Sequence, residues 1–547
     1  MALVINTNLS SIRAQLNLNK TQSSLSTSLE RISSGSRINS PKDDAAGLAI
    51  SQRMSSQIEK LGKAIQNAQG GITFVQAAAS ALEGVSSILV EIQALTVQAS
   101  GADKSATDRS VLSNQITKKR EEIDRLAEDA EFNGRKMLTG KIVNAEFQVG
   151  LRSEQVMRMS IPLVATLNIG NYHTQTDNTR EFAIGAAQQG VQIGVAPTNF
   201  VQEQKITIRG FSSGPAGAEI GIRAGEAAKS IAEKINAVEA QTGVTAVARS
   251  VVTLSNIFGN DVGGEGQKIS FKLYGINAKV EDSGGGESSG GKENDPVSIS
   301  AKITADTEEG LSDLISAIND KVSDTGIRAR AVELTDADGQ STTGIVLENG
   351  GVDISIESFR NDRVASKSEE TEDVLDKTTI DVRGIDGSLL VTLEEGGDTD
   401  SVTVGGIVTL NSFRAFTVAS SAEAEASLFF SGFEGVSQTA DFTSLSSIDV
   451  STEEGVKEAV LVSTNALDFI SSVRGDLGAI QNRFVSAVSN LETVRENTQT
   501  AQSRVLDTDF AQETAQLTRA QVLQQAGIAI LAQANTIPQA VLALLRT

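Results

Sequence analysis

From Met54 onward, apolar or small residues recur at alternating steps of four and three: Met54, Ile58, Leu61, Ile65, Ala68, Ile72, Val75, Ala79, Leu82, Ser86 and Leu89. A period of 3.5 held over about five heptads marks a coiled-coil seam and predicts one helix over residues 42–99. At about 1.5 Å per residue that helix is roughly 85 Å long. A second helix is predicted over 105–130, where Leu112, Ile116, Ile123 and Leu126 keep the same raster. Asn133-Gly134 then sets a turn, and the alternating stretches around 141–149 and 156–164 read as a β-hairpin. Near the other end, Leu467, Ile470, Leu477, Phe484, Val488 and Leu491 repeat the helical spacing. Long helices from opposite ends of the chain are therefore expected to meet in one intrachain bundle, which brings the termini together.

The extreme ends behave differently. Leu9, Ile12 and Leu16 form one short stripe, and Leu18, Leu25, Leu29 and Ile32 form another. At the other end Leu523, Ala526, Ile530, Ala534, Ile537, Val541 and Leu544 run along one helix almost to the last residue. Each end predicts a single amphipathic helix with little sequence left to cover it. An isolated helix is marginal in water, and an uncovered apolar stripe is a site for partners. The two helices could cover only each other, but such a pair leaves most of its apolar surface wet. Polymerisation is the expectation.

Between the first two helices stands SSGSRINSPKDDAAGLAIS, residues 33–51, which breaks the pattern firmly. Gly35 suits the C′ position of the first helix. Ser40 and Pro41 are expected as N-cap and first position of the next, with Asp43 and Asp44 in its first turn, where the helix dipole favours carboxylates. The segment reads as a joint between a terminal helix that packs on neighbours and a long helix that packs on its own chain.

The middle of the chain contains a repeat. AAKSIAEKINAVEAQTGVTAVA (227–248) aligns with GLSDLISAINDKVSDTGIRARA (310–331) at a constant offset, matching Ile235-Asn236 to Ile318-Asn319 and Thr242-Gly243 to Thr325-Gly326. Each copy predicts a helix, a Thr-Gly turn and a strand, preceded by strands at ITIRG and ISAKITA, giving two β-α-β modules near 205–258 and 298–358. A third β-rich stretch follows at 378–410, and DSGGGESSGGKEN (282–294) reads as a flexible tip. The fold class expected is multidomain α+β: a long α-helical coiled-coil bundle from both chain ends, with β-rich outer domains inserted in the middle.

Charge sharpens this division. The 547 residues carry a net charge of −22. Residues 176–430 hold 40 Asp and Glu against 21 Lys and Arg, a net of −19, and the rest holds a net of −3. An acidic middle facing water, with nearly neutral striped ends, argues against a nucleic-acid partner, which would need clustered Lys and Arg. No run of 18 apolar residues predicts membrane insertion, and MALVINTNLSS lacks the regions of a cleaved secretory signal.

Catalytic residue types are scarce: no Cys, no Trp and a single His, His173. One His cannot form a two-His metal site or pair with a Cys, and HExxH is absent, so His173 is expected to be structural. SEETEDVLDK (368–377) lacks the alternating spacing of a calcium loop and reads as solvated acidic surface. GGEGQ (263–267) and GGG (284–286) do not precede GK[ST], which excludes a phosphate cradle of that kind. Neither a cofactor nor an enzymatic activity is expected.

Four long motifs carry a family resemblance. INTNLSSIRAQLNLNKTQSSLSTSLERISSGSRINSPKDDAAGLAISQRM at the start, EIDRLAEDAEFNGRKML at 122–138, LSSIDVSTEEGVKEAV at 445–460 and RAQVLQQAGIAILAQANTIPQAVLALLR at 519–546 strongly resemble bacterial flagellin. The resemblance spans about residues 1–165 and 440–547. It implies a filament subunit for motility, with 1–40 and 505–547 as the innermost helical layer and 41–175 and 431–504 as the next. Residues 176–430 would be a variable surface insert. Leu9, Ile12, Leu16, Leu25, Leu29, Ile32, Leu523, Ile530, Ile537, Val541 and Leu544 would then meet other copies of the chain. It also implies type III export without a cleaved signal to an extracellular filament, and partners in an export chaperone, a cap and hook-associated proteins. A hook-associated junction protein or an adhesin with similar ends is the alternative. In many members a host Toll-like receptor reads the second layer through an Arg, a Leu four residues on, and a Glu in the next helix. Here Glu91, Leu95 and Gln115 align with those three, so recognition is expected to be weak.

Overall fold

The computed structural model describes residues 7–101, 104–176, 187–189, 199–257, 267–277, 296–305, 307–335, 341–362, 379–384, 390–394, 400–422, 427–429 and 437–545, with the backbone alone at 335, 341, 361–362 and 537–545. The tip at 282–294 and the acidic run at 368–377 lie outside them, as do GGG at 284–286 and all but the last residue of GGEGQ.

Three helices open the chain: α1 (Leu9–Ser34), α2 (Ala45–Ala99) and α3 (Ala106–Asp129). A tight ribbon of β1 (Glu131–Phe132) and β2 (Arg135–Lys136) turns at Asn133 and Gly134, both at positive φ. The hairpin of β3 (Ala145–Gln148) and β4 (Val156–Met159) follows. Next come β5 (Gly170–Gln175), β6 (Ala187–Gln189), β7 (Gln204–Arg209), β8 (Ala218–Ile222), α4 (Ala228–Asn236), α5 (Glu239–Thr242) and β9 (Thr245–Ser255). The chain continues through β10 (Gln267–Tyr274), β11 (Val297–Ile303), α6 (Glu308–Asn319), α7 (Val322–Thr325) and β12 (Arg328–Thr335). Then follow β13 (Ser341–Asn349), β14 (Ile354–Asp362), β15 (Thr379–Arg383), β16 (Leu390–Glu394), β17 (Val402–Val404), β18 (Ile407–Ser412), β19 (Thr417–Ser420), β20 (Ser437–Thr439) and β21 (Asp441–Ser444). A 3-10 turn (Leu445–Ser447) leads into α8 (Glu453–Leu506) and α9 (Phe510–Leu545). The fold is α+β, with helical ends and a β-rich middle.

The chain divides into two compact units: 1–82, 129–163 and 473–547 form one, and 83–128 with 164–472 form the other. In the first, four phenylalanines make a core. Phe74 meets Phe132 edge-on at 5.5 Å and Phe147 at 6.0 Å, and Phe147 meets Phe484 edge-on at 5.5 Å. The Phe484 ring lies on Gly71, where a Cβ would stand 2.6 Å from Cζ. The predicted α2 seam is buried at Leu61, Ile65, Ala68, Val75, Leu82 and Leu89, and half-buried at Met54, Ile58, Ile72, Ala79 and Ser86. By length and composition one stretch of α2 is apolar enough to cross a bilayer. Part of that stretch is buried at the seam positions named above.

In the second unit all strand pairs among the described residues are antiparallel, in sheets ordered β11-β10-β14-β17-β6, β12-β13-β9-β18-β5-β21 and β20-β19-β7-β8. The pair β15–β16 joins the long sheet on β9. The repeat is a structural duplication. Asn236 clamps Ala246 through both its side-chain groups (2.9 and 2.7 Å), and Asn319 clamps Ala329 in the same way (2.9 and 2.9 Å). Thr242 and Thr325 each donate back to the carbonyl four residues earlier, and Gly243 and Gly326 take φ of 69° and 72°. The module is β-β-α-α-β, one strand and one short helix longer than the expected β-α-β. ITIRG lies in the first strand of its hairpin and ISAKITA in the second, so the second copy's first strand is β10 at 267, ahead of the expected start near 298. The Gly/Ser-rich segment 282–294 separates its two strands in sequence, so their pairing is not apparent from local spacing. Each module buries one helix face: Ile231, Ala232 and Ile235 in the first, and Leu311, Leu314 and Ile318 in the second. His173 sits on β5 between Asn411 and Asp441, its ring 3.5 Å from the Thr443 hydroxyl.

Candidate assembly interface

The terminal helices α1 and α9 pair within the first unit, and their seam is unusual in its residues. On α1 the positions turned to α9 are Ser11, Ala14, Leu18, Thr21, Leu25, Ser28 and Ile32, each buried or half-buried, at steps of three and four. On α9 they are Glu513, Leu517, Ala520, Gln524, Gly527, Leu531 and Ala534. Small and polar residues dominate both lists. A Cβ at Gly527 would lie 3.4 Å from Leu18 Cδ1, so Leu18 packs into the notch that this glycine leaves. Polar links close the two ends of the pair. Asn8, which caps α1 by accepting from the Ser11 amide, donates to the Ala534 carbonyl at 2.8 Å. Arg31 Nη1 stands 3.8 Å from Glu513 Oε2.

Leu18, Leu25, Ile32, Leu517 and Leu531 enter the seam, and the other large apolar residues described on the two helices lie elsewhere. Leu9 (60% exposed), Ile12, Leu16, Leu29, Leu523 and Ile530 (61%) all face solvent, joined by Phe510, Val522 and Ile528. Two sequence stripes are thus divided by the structure. Leu18, Leu25 and Ile32 enter the seam while Leu29 does not; Ala534 enters it while Leu523, Ala526 and Ile530 do not. The side chains of Ile537, Val541 and Leu544 lie outside the described residues. Placing an apolar stripe by spacing was correct for the helix but silent about which of two adjacent faces meets α9.

The joint after α1 is built as a pair of breaks. Gly35 ends α1 at φ 72°, as its position suggested. Ser40 is not the N-cap of α2, nor Pro41 its first residue. Asp43 accepts from the amides of Asn39 and Ser40 and the Ser40 hydroxyl, closing Ser40–Asp43 into a turn of its own. Those hydrogen bonds, the Ser40 hydroxyl first, hold the Asp43 carboxyl below its ordinary pKa. Asp44 is the cap instead, accepting from the Gly47 amide at 2.8 Å, and a Cβ on Gly47 would strike that carboxylate. The α8–α9 break lies against this joint. Ser36 bridges Asp507, the Arg37 amide donates to the Leu506 carbonyl, and the Thr508 amide donates to the Gly35 carbonyl. Asp507 and Asp509 were the signal for this second break, and sequence reasoning passed over them.

On α2 and α3 in the second unit, Glu91 is exposed and accepts from Lys119 Nζ at 2.6 Å; Lys119 also reaches Glu122 at 3.7 Å. Leu95, one turn on, is half-buried, and Gln115 is exposed one turn before Lys119. The three aligned positions therefore border one charged patch.

Comparison with known proteins agrees with the sequence motifs. The family model for the bacterial flagellin N-terminal helical region matches residues 5–142, and that for the C-terminal helical region matches 461–545. A model for the flagellin hook IN motif matches 205–256, the first of the two modules. The B-type flagellin of Pseudomonas aeruginosa is 34% identical over 552 residues, covering all of both chains. The flagellin of Salmonella typhimurium is 29% identical over 556 residues, again end to end. Among solved structures, FliC from Burkholderia pseudomallei aligns at 15% identity and a TM-score of 0.27, covering 76% of this chain and 99% of that one, a likeness too weak to argue from.

Proposed function

The chain belongs to the bacterial flagellin family, and on that premise we propose that α1 and α9 form the surface through which its copies polymerise. It is a structural subunit of the bacterial flagellar filament, an extracellular assembly, and the junction-protein or adhesin alternative is not favoured. One observation carries the assembly surface: the terminal pair fills much of its seam with small and polar residues and leaves most of its described large apolar side chains outside. A monomer gains nothing from that inversion, because each exposed Leu or Ile forgoes roughly 1.5–3 kcal/mol of burial. A polymer recovers it when copies pack side by side.

The same reading assigns 1–40 and 505–547 to an inner layer, 41–175 and 431–504 to the next, and 176–430 to the outer surface. The paired breaks at Gly35 and Asp507 would let the terminal pair adjust to its neighbours as one body. Before export, a chaperone would cover the apolar outside of α9. Export would use the flagellar type III channel with no cleaved signal, and growth would proceed under a cap on hook-associated proteins. The role is packing rather than catalysis, with no cofactor. Seeded polymerisation of purified protein, followed by negative-stain microscopy, tests this. Long tubes are expected, and short capped stubs would return the junction-protein reading.

A further inference from the structure

The β-rich insert meets the start of α8 through charged side chains from three neighbouring strands. Arg249 on β9 donates to Glu454 Oε1 at 2.6 Å. Arg330 on β12 lies 3.8 Å from Glu453 and 3.3 Å from Glu348 on β13. Lys457 reaches Glu348 at 3.6 Å and Glu454 at 4.0 Å. Six charges thus converge on the first turn of α8, and all of them are partly open to solvent. The other side of the same sheet is held by hydrogen bonds of a different kind. Arg120 of α3 donates to the carbonyls of Leu445, Ser446 and Ile448, just past β21. Asp124 accepts from the amide and hydroxyl of Thr166 (2.8 and 2.7 Å), just before β5.

These two attachments respond differently to salt. Exposed ion pairs weaken as the Debye length shrinks from about 10 Å at 0.1 M to about 3 Å at 1 M. The shorter length is below the 3.3–4.0 Å separations of four of the five pairs and close to the 2.6 Å of Arg249–Glu454. Hydrogen bonds from a half-buried guanidinium to backbone carbonyls have no such dependence. They also sit at different places in the sheet. In the order β12-β13-β9-β18-β5-β21, the clamped strands β5 and β21 lie at one edge and the ionic contacts at β9, β13 and β12 run to the other. At about 4.8 Å per strand, β12 is roughly 19 Å from β5, long enough to act as a lever.

We propose that this network is an ionic strut that fixes the angle of the insert on α8, with the Arg120–Asp124 clamp as its pivot. Dissolving the strut leaves the pivot intact and frees the lever to swing, so the outer surface of the filament would be adjustable by ionic strength.

The chain has no cysteine, which makes site-specific labelling direct. Spin labels at Ser316→Cys on α6 and Ser471→Cys on α8, both exposed, report the angle in full-length protein diluted with unlabelled chain. Pulsed electron spin resonance should give one narrow distance distribution at about 0.02 M salt and a distribution broadened or shifted by several ångström at about 1 M. Glu453→Gln with Glu454→Gln should produce the broad distribution already at low salt. Exchanging the charges of the tightest pair, Arg249→Glu with Glu454→Arg, should restore the narrow one, which a general loss of folding would not. A distribution unchanged by salt in the parent chain would overturn the proposal even if no variant folds.

Discussion

The terminal pair and the bundle share one helical period and fill it with opposite residues. In the bundle the repeating positions are Leu61, Ile65, Val75, Leu82 and Leu89 on α2 and Ile470, Leu477 and Phe484 on α8, all buried. In the α1–α9 seam they include Ser11, Ala14, Thr21, Ser28, Ala520, Gly527 and Ala534, while Leu9, Ile12, Leu16, Leu523 and Ile530 stay outside. These bundle positions bury large side chains and their apolar surface within the chain itself. The terminal pair withholds that surface. Periodicity locates a seam, and residue size tells whether the seam or its outer face carries the binding energy.

The sharpest way to break this comparison is Ile530→Asp. In the monomer that side chain is 61% exposed, so the change should move stability by less than about 0.5 kcal/mol. In a filament the carboxylate would be buried without a partner, at a cost of several kcal/mol per subunit. The subunit concentration needed for growth should rise at least about a hundredfold, since about 1.4 kcal/mol is tenfold. Sedimentation of seeded samples measures this. Filaments of normal length would mean that the outer face is not the assembly surface.

The matched change in the bundle is Phe484→Ala, which should do the reverse. Its ring fills the notch at Gly71 and meets Phe147 edge-on, so truncation leaves a cavity worth about 3–5 kcal/mol of unfolding free energy. Chemical denaturation of the monomer reads that loss directly. If Ile530→Asp proves as destabilising to the monomer as Phe484→Ala, the two regions are not different in kind.

Much of this was legible in the sequence, for identifiable reasons. The α2 helix is nearly as its heptads predict because large residues repeat over many turns and each reinforces the same face. The duplication was visible because Asn236 and Asn319, and Gly243 and Gly326, make demands that few other residues meet. The α1–α9 seam was legible only in part: the stripes include Leu18, Leu25, Ile32 and Ala534, which enter it, but Ser, Thr, Gln and Gly carry almost no hydropathy signal, so spacing does not separate these from outward residues such as Leu16, Leu29 and Leu523. The start of α2 was misplaced because Ser40-Pro41 is a good helix opening locally, and only the closure of Asp43 onto Ser40 shows that the turn wins.

Two carboxylates, each with a buried oxygen, extend the contrast beyond the bundle. Glu513 in the terminal seam has Arg31 as a counter-ion, whereas Asp353 in the insert has, among the described residues, neutral donors: Asn199 Nδ2 at 2.8 Å and the Gly406 amide. Burial pushes the Asp353 carboxyl up to about 7 from 3.8, and those two hydrogen bonds only partly offset it. Over about pH 4–7 the folded chain therefore holds a proton that the unfolded chain has released. The resulting stability is present in full below pH 3.8, is lost as pH rises to about 7, and stays lost above. Asp353→Asn should remove this slope. At about pH 8 the variant should be more stable by about 1–3 kcal/mol, less than the full shift implies because its new amide needs a partner. Near pH 4 the two chains should converge. Denaturation midpoints across pH decide it, and equal pH slopes would show that Asp353 is solvated in the folded chain.

The smallest effect tests whether the charges on the outer face of the bundle helices are as self-contained as its core. Glu91 does not stand free there: Lys119 donates to it at 2.6 Å, and this hydrogen bond raises the Lys119 pKa above its ordinary value. A Toll-like receptor that reads an Arg at this position would meet a carboxylate already engaged by a lysine, with Gln115 where a Glu is read. The monomer should be a poor agonist, weaker than a receptor-competent flagellin by at least about tenfold in a reporter-cell dose curve. The structure also orders the repair. Glu91→Arg alone sets a guanidinium against the Lys119 ammonium and should recover little. Adding Gln115→Glu places a carboxylate four residues before Lys119 on the same helix, the favoured direction for such a pair, and draws the ammonium away from position 91. The double change should therefore recover more potency than the sum of the two single changes. Simple additivity would mean that Lys119 does not mediate between the two positions, and parent potency equal to a competent flagellin would mean that neither position limits recognition.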